Sequence, residues 1–216
     1  YSYNKKTHKK DNRFVVGTAS KTIFTLLILN ERTHDPKYLA AAKEAGNWLM
    51  TKVDNTGRVN PVLTYHGNKW HQITRQSFLY SGQVLSALSR LYHATHDKAY
   101  YDKATLIANR FIAHVKKNGS FVGDDFRTPN SVSTSWLVMS LVDYAKINPA
   151  PVYRDTITRC AAELTARQAA NPSDAFNYGR VVDLISASGN GWVNEVMTVL
   201  YPFCKQSHMK QCEDYR

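Results

Sequence analysis

The sequence predicts an all-α protein, a partial (α/α) toroid of repeated helical hairpins. Three observations predict it: one stretch of the chain is echoed later at a fixed offset, nearly all-apolar helical segments alternate with amphipathic ones, and long polar–aromatic connections precede the apolar segments. "THDPKYLAAAKEAGNWL" starts at Thr33 and "THDKAYYDKATLIANRF" at Thr95. Thr33, His34, Asp35, Tyr38, Ala42 and Asn47 match Thr95, His96, Asp97, Tyr100, Ala104 and Asn109 at one constant offset. Leu26, Leu29 and Gly57 match Leu88, Leu91 and Gly119 at the same offset. Self-similarity at a fixed long period marks a repeat architecture.

The elements follow in order. Residues 1–14 form a basic arm, with Lys5, Lys6, Lys9, Lys10 and Arg13 against Asp11, and are expected to be flexible. Residues 15–216 are expected to be one helical-hairpin domain. Lys21 to Asn30 is nearly all apolar, which predicts a helix buried on most sides. "THD" then breaks the pattern, and its Asp can cap the next helix. That helix is amphipathic, with Tyr38, Leu39, Ala42, Ala45 and Leu49 at spacings near 3.6. Gln83 to His93 and Tyr100 to Phe111 repeat the pair. "DNTG" and "KKNG" offer glycine stops for the two amphipathic helices. Ser135 to Tyr144 and Val152 to Arg167 form a looser third pair, divided by "NPAP". A fourth unit opens at "NGWVNEVMTVLY" and is cut short. Among the connections, "SFVGDDF" is the one short extended piece the pattern supports. Inner helices lining a barrel and outer helices wrapping it make a toroid, and an open solenoid of hairpins follows the same logic.

Composition bounds the rest. The chain has 216 residues, 43% of them hydrophobic, which is enough for a core and too apolar for disorder. It starts at Tyr1 rather than Met, the mark of a processed chain or one cut from something longer. No apolar run reaches the roughly 18 residues of a membrane span. The net charge of +11 fits an anionic partner or a solvated basic surface. Cys160 falls in an apolar helical pattern and reads as core. Cys204 and Cys212 bracket "KQSHMKQ", where a disulfide would fit an extracytoplasmic protein; a zinc site would have His208 as its only nearby histidine.

"SGQVLSALSRLYHATHDKAYYDKA" (Ser81 to Ala104) resembles the helical-toroid carbohydrate enzymes, above all the C-terminal domain of the glucuronyl C5-epimerases. Gly82, Gln83, Ser86, Leu88, Arg90, Leu91, Tyr92, Thr95, Asp97 and Tyr100 carry the resemblance, and Leu91 stands where that family more often has Ala. Similar repeats occur in N-acylglucosamine 2-epimerases and unsaturated glucuronyl hydrolases. The resemblance implies the architecture and a sugar substrate. It also implies six hairpins, of which this chain offers about three and a half.

In such a fold the chemistry belongs to the loops that lead into the inner helices. The first such loop, Asp54 to Phe78, together with the start of the helix after it, brings Tyr65, His66, Trp70, His71, Arg75, Gln76 and Tyr80 close in sequence. Aromatic faces pack on the apolar face of a pyranose while polar groups fix its hydroxyls; equally, aromatics can pin a long loop to its body. The second, Asn118 to Ser133, carries the adjacent Asp124 and Asp125 with Arg127. Neighbouring carboxylates can prepare a general acid; in an extended chain they point to opposite sides, and one can pair with Arg127 while the other caps the helix near Ser131. The third, Asn171 to Asn190, carries Tyr178 and Arg180 and leads to Asn190, Trp192 and Glu195 at the opening of the last inner helix. Glu195 would face a cleft or a neighbouring Arg.

No phosphate loop, nucleophile elbow, zinc-protease helix motif or paired-cysteine metal motif is present, and His66 and His71 are five apart. Neither cofactor nor metal is expected, and no nucleic-acid motif accompanies the basic excess. The expectation is an extracytoplasmic enzyme acting on a polysaccharide or oligosaccharide, one rich in uronate or another anionic sugar, by general acid/base chemistry. Tyr65, His66, Tyr80 and Tyr178 would transfer protons in epimerisation or elimination, with Arg75, Arg127 and Arg180 on the substrate carboxylate. Asp124 or Asp125 with Glu195 would serve hydrolysis. Trp70, His71, Gln76, Asn190 and Trp192 would contact the sugar. The alternative is a helical scaffold that binds a glycan or a protein without turnover, and the remainder of a longer chain or a second subunit would complete the ring.

Overall fold

The computed structural model describes residues 3–4, 8–10, 12–184 and 186–216; of the basic arm, Lys5, Lys6 and Asp11 fall outside them. Seven α-helices are described: α1 (Val16–Thr33), α2 (Pro36–Met50), α3 (Phe78–Thr95), α4 (Lys98–Asn118), α5 (Ser131–Ala145), α6 (Pro151–Thr165) and α7 (Ala187–Gln206). They make three hairpins and one further helix, as the repeat predicts. Five short strands accompany them: β1 (Tyr3–Asn4), β2 (Lys9–Lys10), β3 (Arg13–Val15), β4 (Val62–His66) and β5 (Lys69–Ile73). The chain divides into two compact units, residues 1–110 and 111–216, with α4 running through the division.

The echo is realised as a helical corner, used twice in the first unit. At the end of α1, His34 takes a left-handed conformation (φ 54°) and its N–H donates to Asn30 O. The Thr33 hydroxyl donates back to Leu29 O (2.7 Å) and accepts from Asp35 N (3.3 Å). Asp35 then caps α2 by accepting from Lys37 N (3.0 Å), with Pro36 in the first turn. At the end of α3, His96 (φ 55°) donates to Tyr92 O. Thr95 donates to Leu91 O and accepts from Asp97 N, and Asp97 accepts from Ala99 N. The matching tyrosine Tyr100 is fully buried, and its hydroxyl donates to Asn47 Oδ1 (2.9 Å), joining α4 to α2.

α1 corrects one expectation. It is buried at Val16, Gly17, Ser20 and Ile23, while Ile28 is 53% exposed. It packs on α2 and α3, which cover two of its sides. α3 is buried along most of its length and α5 along nearly all of it, as the apolar pattern predicts.

The glycine stops divide. Gly119 (φ 93°) ends α4, its N–H donating to Val115 O. Gly57 lies beyond the end of α2 and instead closes a turn around Asp54, whose Oδ1 accepts from Thr56 N and Arg58 N. The stretch 54–78, expected as a loop, contains a β-hairpin. Val62↔Ile73 through His66↔Lys69 pair antiparallel, and β3 adds Arg13–Val15 as a third strand on β4. Gly67 and Asn68 both have positive φ (55° and 60°), the two-residue turn that matches strand twist. Phe14 packs edge-on against Trp48 at 4.7 Å. "SFVGDDF" forms no strand; its one bridge joins Asp124 to Arg127. In the second unit Cys204 and Cys212 are joined as a disulfide, and Cys160 is free and buried.

Candidate functional site

The candidate residues form two groups, one in each unit. In the first unit the hairpin sorts them by face, because side chains alternate along a strand. Tyr65 and Trp70 are register partners, with ring centroids 5.2 Å apart, and both are partly exposed. His66 and His71 lie on the opposite face, stacked in parallel at 3.7 Å, with the His71 ring nitrogen 3.2 Å from His66 O. Arg75 is exposed beyond the hairpin. Gln76 is buried and serves the backbone: its carbonyl accepts from Val59 N and its amide donates to Thr74 O. Tyr80 sits in the first turn of α3, half-buried against Gly17, where a Cβ would come within 2.9 Å of its ring.

In the second unit a tight turn gathers Asp124, Asp125 and Arg127. Asp124 N donates to Arg127 O and Arg127 N to Asp124 O. Asp124 Oδ1 also accepts from the amides of Phe126 and Arg127, both at 3.0 Å. The chain doubles back closely: a Cβ on Gly123 would lie 2.6 Å from Pro129 N. Asp124 therefore holds the turn, and the turn displays Asp125, Phe126 and Arg127, all exposed. Beside it lies a groove of about 520 Å³ whose lining includes Phe121, Asp124, Asp125, Phe126 and Arg127, with His114 and Asn118 from the last turns of α4. Phe121 is backed by the Arg167 guanidinium, 3.5 Å from the ring centre, and Arg167 is itself paired with Glu163 at 2.7 Å.

The cap expected near Ser131 comes from elsewhere. Asn130 caps α5 by accepting from Ser133 N (2.9 Å). Asp183 accepts from Ser131 N (2.8 Å) and from the Ser131 hydroxyl (2.6 Å), tying the third loop to the start of α5. A carboxylate there also meets the positive end of the helix dipole. Sequence reasoning missed Asp183 because its partner is far away in the chain. It missed Phe126 and Arg167 because neither belongs to a motif.

The third loop is internally bonded. Ala169 N donates to Arg180 O and Gly179 N to Ala169 O. Asn177 donates to Asp174, which holds that carboxyl below its ordinary range, and accepts from Arg180 at 3.0 Å. Tyr178 stands 60% exposed at the tip. Asn190 is a structural clamp: it accepts from Val181 N and donates to Leu184 O and Ser186 O. Trp192 is partly exposed. Glu195 is exposed and makes no side-chain hydrogen bond or ion pair among the described residues. α7 begins at Ala187, so Glu195 stands in its third turn and not at its opening. No cluster of three or more metal-ligating side chains occurs among the described residues, and no described helix is long and apolar enough to cross a membrane.

No family model matches the chain, and no curated protein does. Solved structures do. A sugar epimerase from a ruminal bacterium superimposes with a TM-score of 0.74 at 13% identity, over 100% of this chain and 62% of the epimerase. The GH76A α-1,6-mannanase of Salegentibacter sp. HEL1_6 gives 0.66 at 20% identity, over 89% and 60%. An inactive variant of that mannanase, bound to α-1,6-mannotetrose, has two adjacent aspartates replaced. The unsaturated glucuronyl hydrolase of Bacillus sp. GL1 gives 0.65 at 13% identity, over 90% and 59%. The fold is thus that of the α/α-toroid carbohydrate-active enzymes. The chain spans between 59% and 62% of the length of these three.

Proposed function

We propose that the chain is an extracytoplasmic carbohydrate-active enzyme, or the larger part of one, acting on an acidic oligosaccharide or polysaccharide. One observation carries the reading: the turn at Asp124–Arg127 presents a carboxylate, an aromatic face and a guanidinium side by side at the edge of a groove. Phe126 stacks on the sugar ring, Arg127 makes a bidentate contact with the sugar carboxylate, and Asp125 transfers the proton. In epimerisation, a base takes the C5 proton. The electron pair is delocalised into the carboxylate held by Arg127, and an acid returns a proton on the opposite face. Tyr178, Glu195 and Arg180 supply the further acid, base and cation. The adjacent aspartates of the inactivated mannanase support a hydrolytic variant with the same pattern at Asp124 and Asp125. On the first unit, Tyr65 and Trp70 offer a stacking surface with His66, His71, Arg75 and Tyr80 near it. Gln76 and Asn190 act by holding loops. The disulfide supports the location.

The test is incubation with uronate oligosaccharides in D2O, followed by NMR and mass spectrometry. Deuterium at C5 without cleavage means epimerisation, a new double bond means elimination, and a gain of water means hydrolysis. Asp125→Asn loses turnover while keeping ligand affinity within a few-fold. Turnover unchanged in Asp125→Asn and Arg127→Ala removes the groove from the reaction. One observation favours a non-catalytic glycan-binding scaffold: Asp124, Gln76 and Asn190 spend their side chains on backbone hydrogen bonds. Binding without chemical change of any saccharide would support it.

A further inference from the structure

A second concave site lies at the C-terminal end of the chain. Arg154, Asp155, Thr158 and Arg159 of α6 face the segment 207–211 across a crevice of about 430 Å³, a volume in the range of small-ligand sites. The opposing lip is a built element. The Cys204–Cys212 bond closes it, and both cysteines are buried. Met209 N donates to Cys204 O (3.1 Å), and His208 turns the chain with φ 52°. Glu213, the nearby acid, is already paired with Lys205 and Arg216.

The charges of the crevice are unspent. Arg154, Arg159 and Lys210 line it against the single carboxylate of Asp155, and none of the four has an ion pair among the described residues. Three cations against one carboxylate leave a net positive potential in the concavity that draws an anion. A bare inorganic anion would have no use for Asp155. A hydroxylated one would: Asp155 accepts from a hydroxyl, and Thr158 does so through the oxygen whose proton goes to Arg154 O. Met209, half-buried at the lip, covers C–H surface.

We propose that this crevice binds a carboxylate- or sulfate-bearing saccharide unit, as an accessory site that holds a distant part of an acidic glycan. The site shares no lining residue with the groove at 121–129. It is built on the early and middle turns of α6 and the segment after α7, whereas the groove is built on the last turns of α4 and the loop before α5. The inference takes from the proposed function only the ligand class, and it does not depend on turnover.

The test is a 15N–1H NMR titration of the oxidised protein with methyl glucuronoside. Methyl glucoside serves as the neutral match and sodium sulfate as the bare anion. Amide shifts are expected within 154–159 and 207–211 for the glucuronoside and none for the glucoside. Arg154→Gln/Arg159→Gln should lose about tenfold or more in affinity, the scale of a lost charge-assisted contact. Its spectrum elsewhere should match the wild type, which reports an intact fold, and turnover of short oligosaccharides at the groove should be unchanged. Reducing the disulfide, which frees the lip, should also weaken binding. Asp125→Asn should leave the titration unaltered, so failure of the groove chemistry and failure of this site read differently. Shifts with sulfate alone, shifts confined to 121–129, or affinity unchanged in the double variant would overturn the proposal.

Discussion

Asp183→Ala tests whether the third loop and the start of α5 are one mechanical piece. The wild-type carboxylate accepts from Ser131 N at 2.8 Å and from the Ser131 hydroxyl at 2.6 Å, and Ser131 is fully buried. Loss of a helix-end acceptor costs about 1 kcal/mol. Loss of a negative charge at the first turn costs about 0.5 kcal/mol, and leaving a buried hydroxyl without its acceptor costs about 1 kcal/mol more. The expected loss is therefore about 2.5 kcal/mol, or roughly 5–10 °C in Tm for a chain of this size. Asp183→Asn keeps one acceptor oxygen and should lose about 1 kcal/mol. Urea unfolding followed by far-UV circular dichroism measures both. A double-mutant cycle with Ser131→Ala should return a coupling of about 1–2 kcal/mol, as for groups in direct contact. Amide exchange in the first turns of α5 should quicken in Asp183→Ala. A loss below about 0.5 kcal/mol, the size of an ordinary surface substitution, would refute the assignment, as would a coupling of zero.

Gly57 and Gly119 occupy matching positions of the echo, yet their substitutions should differ. Both have positive φ, but a Cβ on Gly57 would lie 2.2 Å from Leu106 O, while Gly119 has nothing within 4 Å. Gly119→Ala should cost about 1 kcal/mol of backbone strain and Gly57→Ala at least about 2 kcal/mol more, read by urea denaturation; equal losses would contradict the packing at Leu106. Burial pushes the Cys160 thiol up to about 12, so it should resist thiol reagents at pH 8 until the protein is unfolded. The Asp174 carboxyl is held below its ordinary value by hydrogen bonds from Asn177. Its contribution is present above the unfolded carboxylate range near pH 4 and is lost as pH falls through the lower folded value. NMR should show residues 171–180 loosening at that acid end and not above pH 5.

The hairpin repeat was legible because its signals are local. Thr, His and Asp in series stop one helix and cap the next through bonds no longer than four residues, and the alternation of α3 with α4 writes burial directly into composition. The same rule explains what was not legible. "TIFTLLIL" carries the apolar signature of an inner helix, but exposure at Ile28 depends on which helices pack on α1, and no residue of α1 encodes that. Gly57 copies Gly119 by position but is used differently, because Leu106 approaches only in the folded chain. The hairpin at Gly67-Asn68 did have a signal, a two-residue turn between residues that favour strands, masked by reading the whole stretch as a site loop. Of the candidate site, Asp124, Asp125 and Arg127 are legible as a cluster because they are neighbours in sequence. Gln76 and Asn190 carried the right polarity for a ligand, but their amides satisfy buried backbone instead. Nothing marks Asp183, whose role comes from Ser131, far away in sequence.

The Thr-His-Asp corner has a consequence for how such a chain can lengthen. Every bond that defines the corner begins and ends within it or in the helix turns it joins. Its geometry therefore travels with the DNA that encodes it. A gene segment copied in frame would deliver a finished bend at its new location before any partner surface had adapted. Selection would then have only the faces of the new helices left to refine. The two corners, alike in four hydrogen bonds while the helices around them differ in sequence, are what such a history would leave behind.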